Sequence, residues 1–285
     1  MTRPLRLEFA GALYHVTARG NRSNLIYRDD FDRLVWLEII EQTCKRHQCV
    51  VHSYCQMGNH FHLMIETKSA NLSQAMRHLN GLYSEYFNQR HNIVGHMFQG
   101  RYKAILVQRE SYLLELSRYI VLNPVRAKIV RSIEEWPWSS FQYFVAENTP
   151  PAWLQRDWLL GQFGPTHAQA MKSYCDFVLA GVGKSSPLAA TRHRILLGDE
   201  TFVSQYQKSQ QSSGLAEAAR NEREAVMLTL PAYVERYADR TEAMARAYLS
   251  TAFKMAQIAA HFGVSTKTVS RAVAAFEKAG LDDNG

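Results

Sequence analysis

The strongest constraint on how this chain folds is an ordered alternation of two hydrophobic periods in its first 125 residues. Ala12 to Ala18 is β-branched and aromatic, and the turn cluster Gly20 to Asn24 follows it, which predicts a strand and its exit loop. Between Phe31 and about His47, apolar Phe31, Leu34, Val35, Leu37, Ile39 and Ile40 recur at three- and four-residue steps behind Asp29-Asp30, which predicts a helix with an acidic start. Val50 to Cys55 and His60 to Glu66 read as two strands of a hairpin that turns at Met57-Gly58-Asn59. A second helix opens at Asn71-Leu72-Ser73 and runs to about Arg90, and Tyr102 to Val107 is a further strand. A helix from Ser111 to Leu122 stops at Asn123-Pro124, because proline cannot continue the backbone ladder. The order is strand, helix, two strands, helix, strand, helix. That order predicts an α+β fold with a split βαβ core, a mainly antiparallel sheet and helices on one face.

After Trp136-Pro137-Trp138-Ser139-Ser140 the sequence reads as mostly helical through about Leu179, with a loop from Gly181 to Pro187. The run Gln207 to Gly214 is polar and lacks apolar periodicity, which predicts a linker, and helical sequence resumes at Leu215. Three segments are therefore expected: 1–145, a helical extension and linker over 146–214, and a helical domain over 215–285. At 285 residues, each can bury a core.

Charge is distributed unevenly. The chain has 33 Lys and Arg against 26 Asp and Glu. Residues 1–140 hold 18 basic and 12 acidic side chains, whereas residues 216–285 hold 9 of each. Within 98–131 the basic residues Arg101, Lys103, Arg109, Arg118, Arg126, Lys128 and Arg131 face only Glu110 and Glu115, so any anionic partner is expected there. Cys44, Cys49, Cys55 and Cys175 form no CxxC pair, which fits reduced thiols better than a disulfide or zinc framework. No run approaches the ~18 apolar residues of a membrane span, and the N-terminal residues lack an apolar signal core. The expectation is a soluble, cytoplasmic protein.

The hairpin's second strand begins His60-Phe61-His62. Residues two apart on a strand share a face about 6.5 Å apart, so the two imidazoles converge while Phe61 packs on the other side. The pair either lines a solvated sheet face or holds a cation, and a cation requires further ligands. An HxHxH hydrolase pattern fails because position 64 is Met, and no additional nitrogen or sulfur ligand for zinc is evident. Oxygen ligands would instead suit Mg²⁺ or Mn²⁺ that also contacts phosphate. Tyr119 and Asn123 stand at i and i+4 on one helix face and offer a phenol and an amide. Tyr112 shares that face but has Leu116 at i+4, while Tyr83 and Tyr86 lie in an apolar stripe.

His60-Phe61-His62, then Gly95 to Ala104 (GHMFQGRYKA), then Tyr119 to Ala127 (YIVLNPVRA) resemble single-tyrosine transposases of the HUH superfamily, the insertion-sequence-200-like group. The nearest branch is the one associated with repetitive extragenic palindromes. The resemblance spans about residues 3–145 and implies a ferredoxin-like catalytic domain over 1–145. It implies Tyr119 as nucleophile, His60, His62 and Asn123 as ligands to Mg²⁺ or Mn²⁺, and cleavage and rejoining of single-stranded hairpin or palindromic DNA through a 5′-phosphotyrosine. Arg101, Lys103, Arg118 and Arg126 are the expected backbone contacts. A non-mobile nickase of palindromic repeats, or a DNA-binding regulator, are the alternatives.

Residues 254–278 read as helix, turn at Gly263 and helix from Ser265, with Ile258, Phe262, Val264 and Val269 inside. This resembles a helix-turn-helix whose Thr266, Lys267, Thr268, Ser270 and Arg271 would face duplex DNA. An ordinary helical hairpin is the competing reading, because the segment is charge-neutral.

Overall fold

The computed structural model describes residues 7–192, 195–204, 230–249, 253 and 255–282. The linker expected at 207–214 and the helix start expected at Leu215 lie outside them. The chain divides into two compact units, one formed by Glu8–Thr191 with Ile195–Gly198, the other containing the described residues from Asp199 onward.

The larger unit is built on strands β1 (Ala12–Arg19), β2 (Cys49–Gln56), β3 (His60–Thr67), β4 (Lys103–Val107) and β5 (Leu196–Leu197), ordered β2-β3-β1-β4-β5. The first four are antiparallel neighbours throughout, and their order is that of a ferredoxin-like sheet. β5 is parallel to β4 and adds an edge that two residues are too few to signal in sequence.

Helices α1 (Asp30–His47) and α2 (Leu72–His91) cover one face. Trp36 of α1 is fully buried, with ring centroids 4.9 Å from Phe61 and 6.3 Å from Tyr54. The Asp29 side chain caps α1 by accepting from the Asp32 amide. Buried Asp32 then joins the two helices, accepting from Tyr86 at 3.0 Å, from Arg90 and from His91 at 2.9 Å. Asn92 ends α2 in the left-handed conformation, with φ of 52°, that asparagine tolerates.

Helix α3 (Arg109–Val121) lies on the opposite face, where the Tyr119 ring packs edge-on to His15 and His62. Helices on one face only were expected. Periodicity shows that a helix has an apolar stripe, not which side of the sheet that stripe covers. Nor does the backbone stop at Pro124: residues Asn123–Arg126 form a further helical turn with Pro124 in its first positions, where its missing N–H is not needed. The extension, expected as mostly helical, comprises short helices at Phe141–Val145 and Arg156–Leu160 and a longer one at His167–Leu179.

The second unit contains helices Leu230–Arg236, Arg240–Leu249, Met255–Phe262 and Thr266–Asp282. Tyr233, Ala243, Met244, Ala247, Ile258, Ala259, Phe262, Val269 and Ala272 form its core. Gly263 adopts φ of 64° at the turn between the last two helices, and Ser265 caps the last by accepting from the Thr268 amide at 3.2 Å.

Candidate active site

Register places the two imidazoles. β1 pairs with β3 so that Arg19 faces His60, Thr17 faces His62 and His15 faces Met64, and directly opposed residues share a sheet face. Thr17 also pairs with Lys103 on β4, which puts Lys103 in the same row as His62, about 9–10 Å away across two strand spacings. On the reverse face Phe61 is fully buried against Trp36 and Phe98.

The ring nitrogens converge. His60 Nε2 and His62 Nε2 are 3.2 Å apart. His60 donates from Nδ1 to the Asn59 carbonyl oxygen Oδ1 at 2.7 Å, which leaves its Nε2 lone pair turned toward His62. His62 in turn has Nδ1 2.9 Å from Nε2 of His15, and the rings of His15 and His62 lie 3° from parallel with centroids 5.2 Å apart, edge to edge in one plane as an in-plane hydrogen bond requires. Burial pushes the pKa of His15 down to about 4. Burial, then the Arg19 charge, pushes that of His60 down to about 4. Burial, followed by its neighbours His15, His60 and Arg19, pushes that of His62 well below the ordinary imidazole range. All three rings are therefore neutral near pH 7, as metal-binding imidazoles must be.

Helix α3 brings Tyr119 to this row. Its ring centroid is 6.1 Å from that of His62 and 6.5 Å from that of His15, edge-on to both. The guanidinium of Arg126 lies over the Tyr119 ring at 5.2 Å and donates to the Lys184 carbonyl oxygen at 2.6 Å. Asn123 donates from Nδ2 to the carbonyl oxygens of Tyr119 at 2.9 Å and Ile120 at 3.3 Å. Neither bond uses Oδ1. Imidazole nitrogens and an amide oxygen are donor types that suit a divalent cation shared with phosphate oxygens.

The segment that joins α2 to β4 closes one end of the row. Gln99 donates its amide to the Arg19 carbonyl at 2.8 Å, Asn21 to that of Met97 at 2.7 Å, and Gly20 to that of Asn59 at 2.8 Å. Gly20 has no room for a side chain, since a Cβ there would sit 2.2 Å from the Asn24 carbonyl oxygen.

Among the basic residues expected to contact DNA, Arg101, Lys103 and Arg126 are exposed. Arg118 is not. It is buried, pairs with Glu115, stacks on Phe177 at 4.3 Å and donates to the Phe177 carbonyl oxygen. Gly181 packs so tightly on it that a Cβ would lie 2.5 Å from Arg118 Cδ. The expectation of a phosphate contact at Arg118 is corrected: its charge is spent on docking the helix 167–179 against α3. In the smaller unit Thr266, Lys267, Thr268, Ser270 and Arg271 are all exposed, while Val269 between them is buried.

His15 was missed in the sequence. It lies in an apolar strand without a motif, and only strand pairing reveals that it shares a face with His62.

Residues 9–123 match the family described as "Transposase IS200 like". A solved structure titled "Structure of the REP associates tyrosine transposase bound to a REP hairpin" is 18% identical, with a TM-score of 0.45, covering 55% of this chain and 93% of that one. No curated protein matches the sequence. No helix among the described residues is long and apolar enough to cross a membrane.

Proposed function

We propose that the chain, whose residues 9–123 match the family described as "Transposase IS200 like", cleaves and rejoins single-stranded DNA at hairpin or palindromic repeats, with Tyr119 as the nucleophile. The observation that carries this reading is the convergence of His60 and His62, with Nε2 atoms 3.2 Å apart and the Tyr119 ring centroid 6.1 Å from that of His62.

His60, His62 and Asn123 would hold Mg²⁺ or Mn²⁺, which when bound supplies charge stabilisation on the oxygens of the scissile phosphate. The chain's own residues do the rest. Tyr119 Oη attacks phosphorus, its proton leaves to solvent, the bond to the 3′-oxygen breaks, that oxygen takes a proton from solvent, and a 5′-phosphotyrosine forms with release of a 3′-OH. The phosphoester is retained, so another 3′-OH can attack it and restore the tyrosine without a nucleotide cofactor. Arg126, over the ring, orients the phenol, and exposed Arg101 and Lys103 neutralise flanking phosphates.

The residues 266–271 support a second contribution from the same chain, duplex recognition by the helix Thr266–Asp282. Its polar side chains are exposed while Val269 and Ala272 face the core, the division a groove-reading helix needs.

The test is to incubate the protein with labelled single-stranded hairpin DNA and Mn²⁺ and look for a denaturation-resistant adduct. Tyr119→Phe abolishes it and Tyr112→Phe leaves it. An adduct that survives Tyr119→Phe sinks the assignment of the nucleophile.

A further inference from the structure

Three neutral imidazoles form one hydrogen-bonded row, and the proton positions along it are limited. Asn59 Oδ1 can only accept, so His60 carries its proton on Nδ1 and its Nε2 is a bare lone pair. With no cation between them, the 3.2 Å contact then requires His62 to carry its proton on Nε2 and donate it to His60. Nδ1 of His62 is consequently an acceptor, and His15 fills it from Nε2–H. The remaining nitrogen, His15 Nδ1, is buried and has no hydrogen-bond partner among the described residues.

A cation that takes both Nε2 lone pairs reverses this order. His62 must then carry its proton on Nδ1, and a buried N–H needs an acceptor. Among the described residues, the atom placed to accept it is His15 Nε2, 2.9 Å away. The proton of His15 moves to its own Nδ1, so each imidazole stays neutral and the row keeps three protons, and the N–H left without an acceptor among the described residues is shifted from the ligand ring of His62 to His15.

We propose that His15 is a positioning residue of the cation site: it accepts the Nδ1 proton of His62, fixes the tautomer in which His62 offers Nε2, and through that in-plane hydrogen bond holds the His62 ring in its orientation. The inference rests on the reading of His60 and His62 as cation ligands. A carboxylate or carbonyl is the usual partner for a ligating imidazole. An imidazole partner differs because it can also donate, so it satisfies His62 with and without the cation.

The experiment uses the full chain and Mn²⁺ alone. Mn²⁺ affinity is measured by electron paramagnetic resonance for the wild type, His15→Phe, which keeps a flat ring but cannot accept, and His15→Gln, whose amide oxygen can. Affinity is expected to fall roughly tenfold to hundredfold in His15→Phe, and to recover to within a few-fold of wild type in His15→Gln. Wild-type binding with unchanged affinity in His15→Phe overturns the role of His15 alone. Wild type that binds no Mn²⁺ overturns the cation reading and this proposal with it. Should His15→Phe fail to fold, long-range ¹H–¹⁵N correlation of the wild-type histidines decides the matter. His62 is expected as the Nε2–H tautomer without cation and the Nδ1–H tautomer with Mg²⁺, and an Nε2–H tautomer with Mg²⁺ bound overturns the proposal.

Discussion

The guanidinium of Arg126 lies 5.2 Å above the centre of the Tyr119 ring and is tethered through Nη1 to the Lys184 carbonyl oxygen. The tether matters because Lys184 belongs to the segment after helix His167–Leu179, which is also docked on α3 through Arg118 and Phe177. The extension thus reaches the candidate nucleophile through one side chain. A stacked cation contributes about 0.5–2 kcal/mol, which is roughly twofold to thirtyfold in rate if the contact persists where Tyr119 attacks. Single-turnover adduct formation is expected to slow about tenfold in Arg126→Ala. Arg126→Lys keeps the charge without the planar stack and is expected to recover only part of the rate. Wild-type rates in both variants would show that the guanidinium does not orient the phenol.

Asn123 has its amide nitrogen committed to two helix carbonyls, of Tyr119 and Ile120, so its carbonyl oxygen is the end left for a cation. Asn123→Ala removes that oxygen from a half-buried position that fills no core space. Mn²⁺ affinity is therefore expected to drop by about tenfold or more while the thermal midpoint moves little. Calorimetric titration beside a melting curve separates the two. Unchanged affinity would remove Asn123 from the ligand set.

Much of this was legible in the sequence, and the failures share a cause. β1 to β4 and α1 to α3 are long enough for their period to register, and the order of these elements points to the sheet topology. The dyad His60-Phe61-His62 announces its alternation, because Phe61 must take the sheet face opposite to that of the two histidines. What was not legible depends on which elements meet. β5 has two residues and no period. The face that α3 covers is a tertiary choice. Arg118 carries the same charge as Arg126 and differs from it only in being covered by Phe177 and Gly181, some 60 residues on. His15 reaches His62 diagonally across a strand pair, a relation with no spacing to betray it.

The far end of the same sheet face gives a pH-dependent expectation. Glu66 accepts from His52 at 2.8 Å and pairs with Arg109, and these contacts, His52 first, pull its carboxyl down to about 2. A folded-state pKa below the unfolded value of about 4.3 stabilises the native state fully above that value, and the gain is lost as pH falls toward 2. The carboxylate is partly exposed, so screening limits the gain to about 1–2 kcal/mol. Urea unfolding at pH 6 should show wild type more stable than Glu66→Gln by about that amount, and the gap should narrow steadily between pH 4 and pH 3. A gap that is constant with pH would mean that packing, not ionisation, accounts for the difference.

Lys267 and Arg271 are one turn apart on the helix Thr266–Asp282, both exposed, with Val269 and Ala272 holding the helix to its unit. Substituting either should leave the fold intact, because neither contributes to that core. If the helix lies in a duplex groove, each cation that neutralises a phosphate releases about one counterion, and the logarithm of affinity falls with the logarithm of salt accordingly. Lys267→Ala and Arg271→Ala are each expected to weaken duplex binding by the full chain and to reduce the salt slope by about one. Adduct formation on a short single strand by Tyr119 should not change, since it needs no duplex. Filter-binding or anisotropy titrations over a salt series measure the slope. Variants with the wild-type slope would place duplex phosphates elsewhere and return Thr266–Asp282 to the status of a packed helical hairpin.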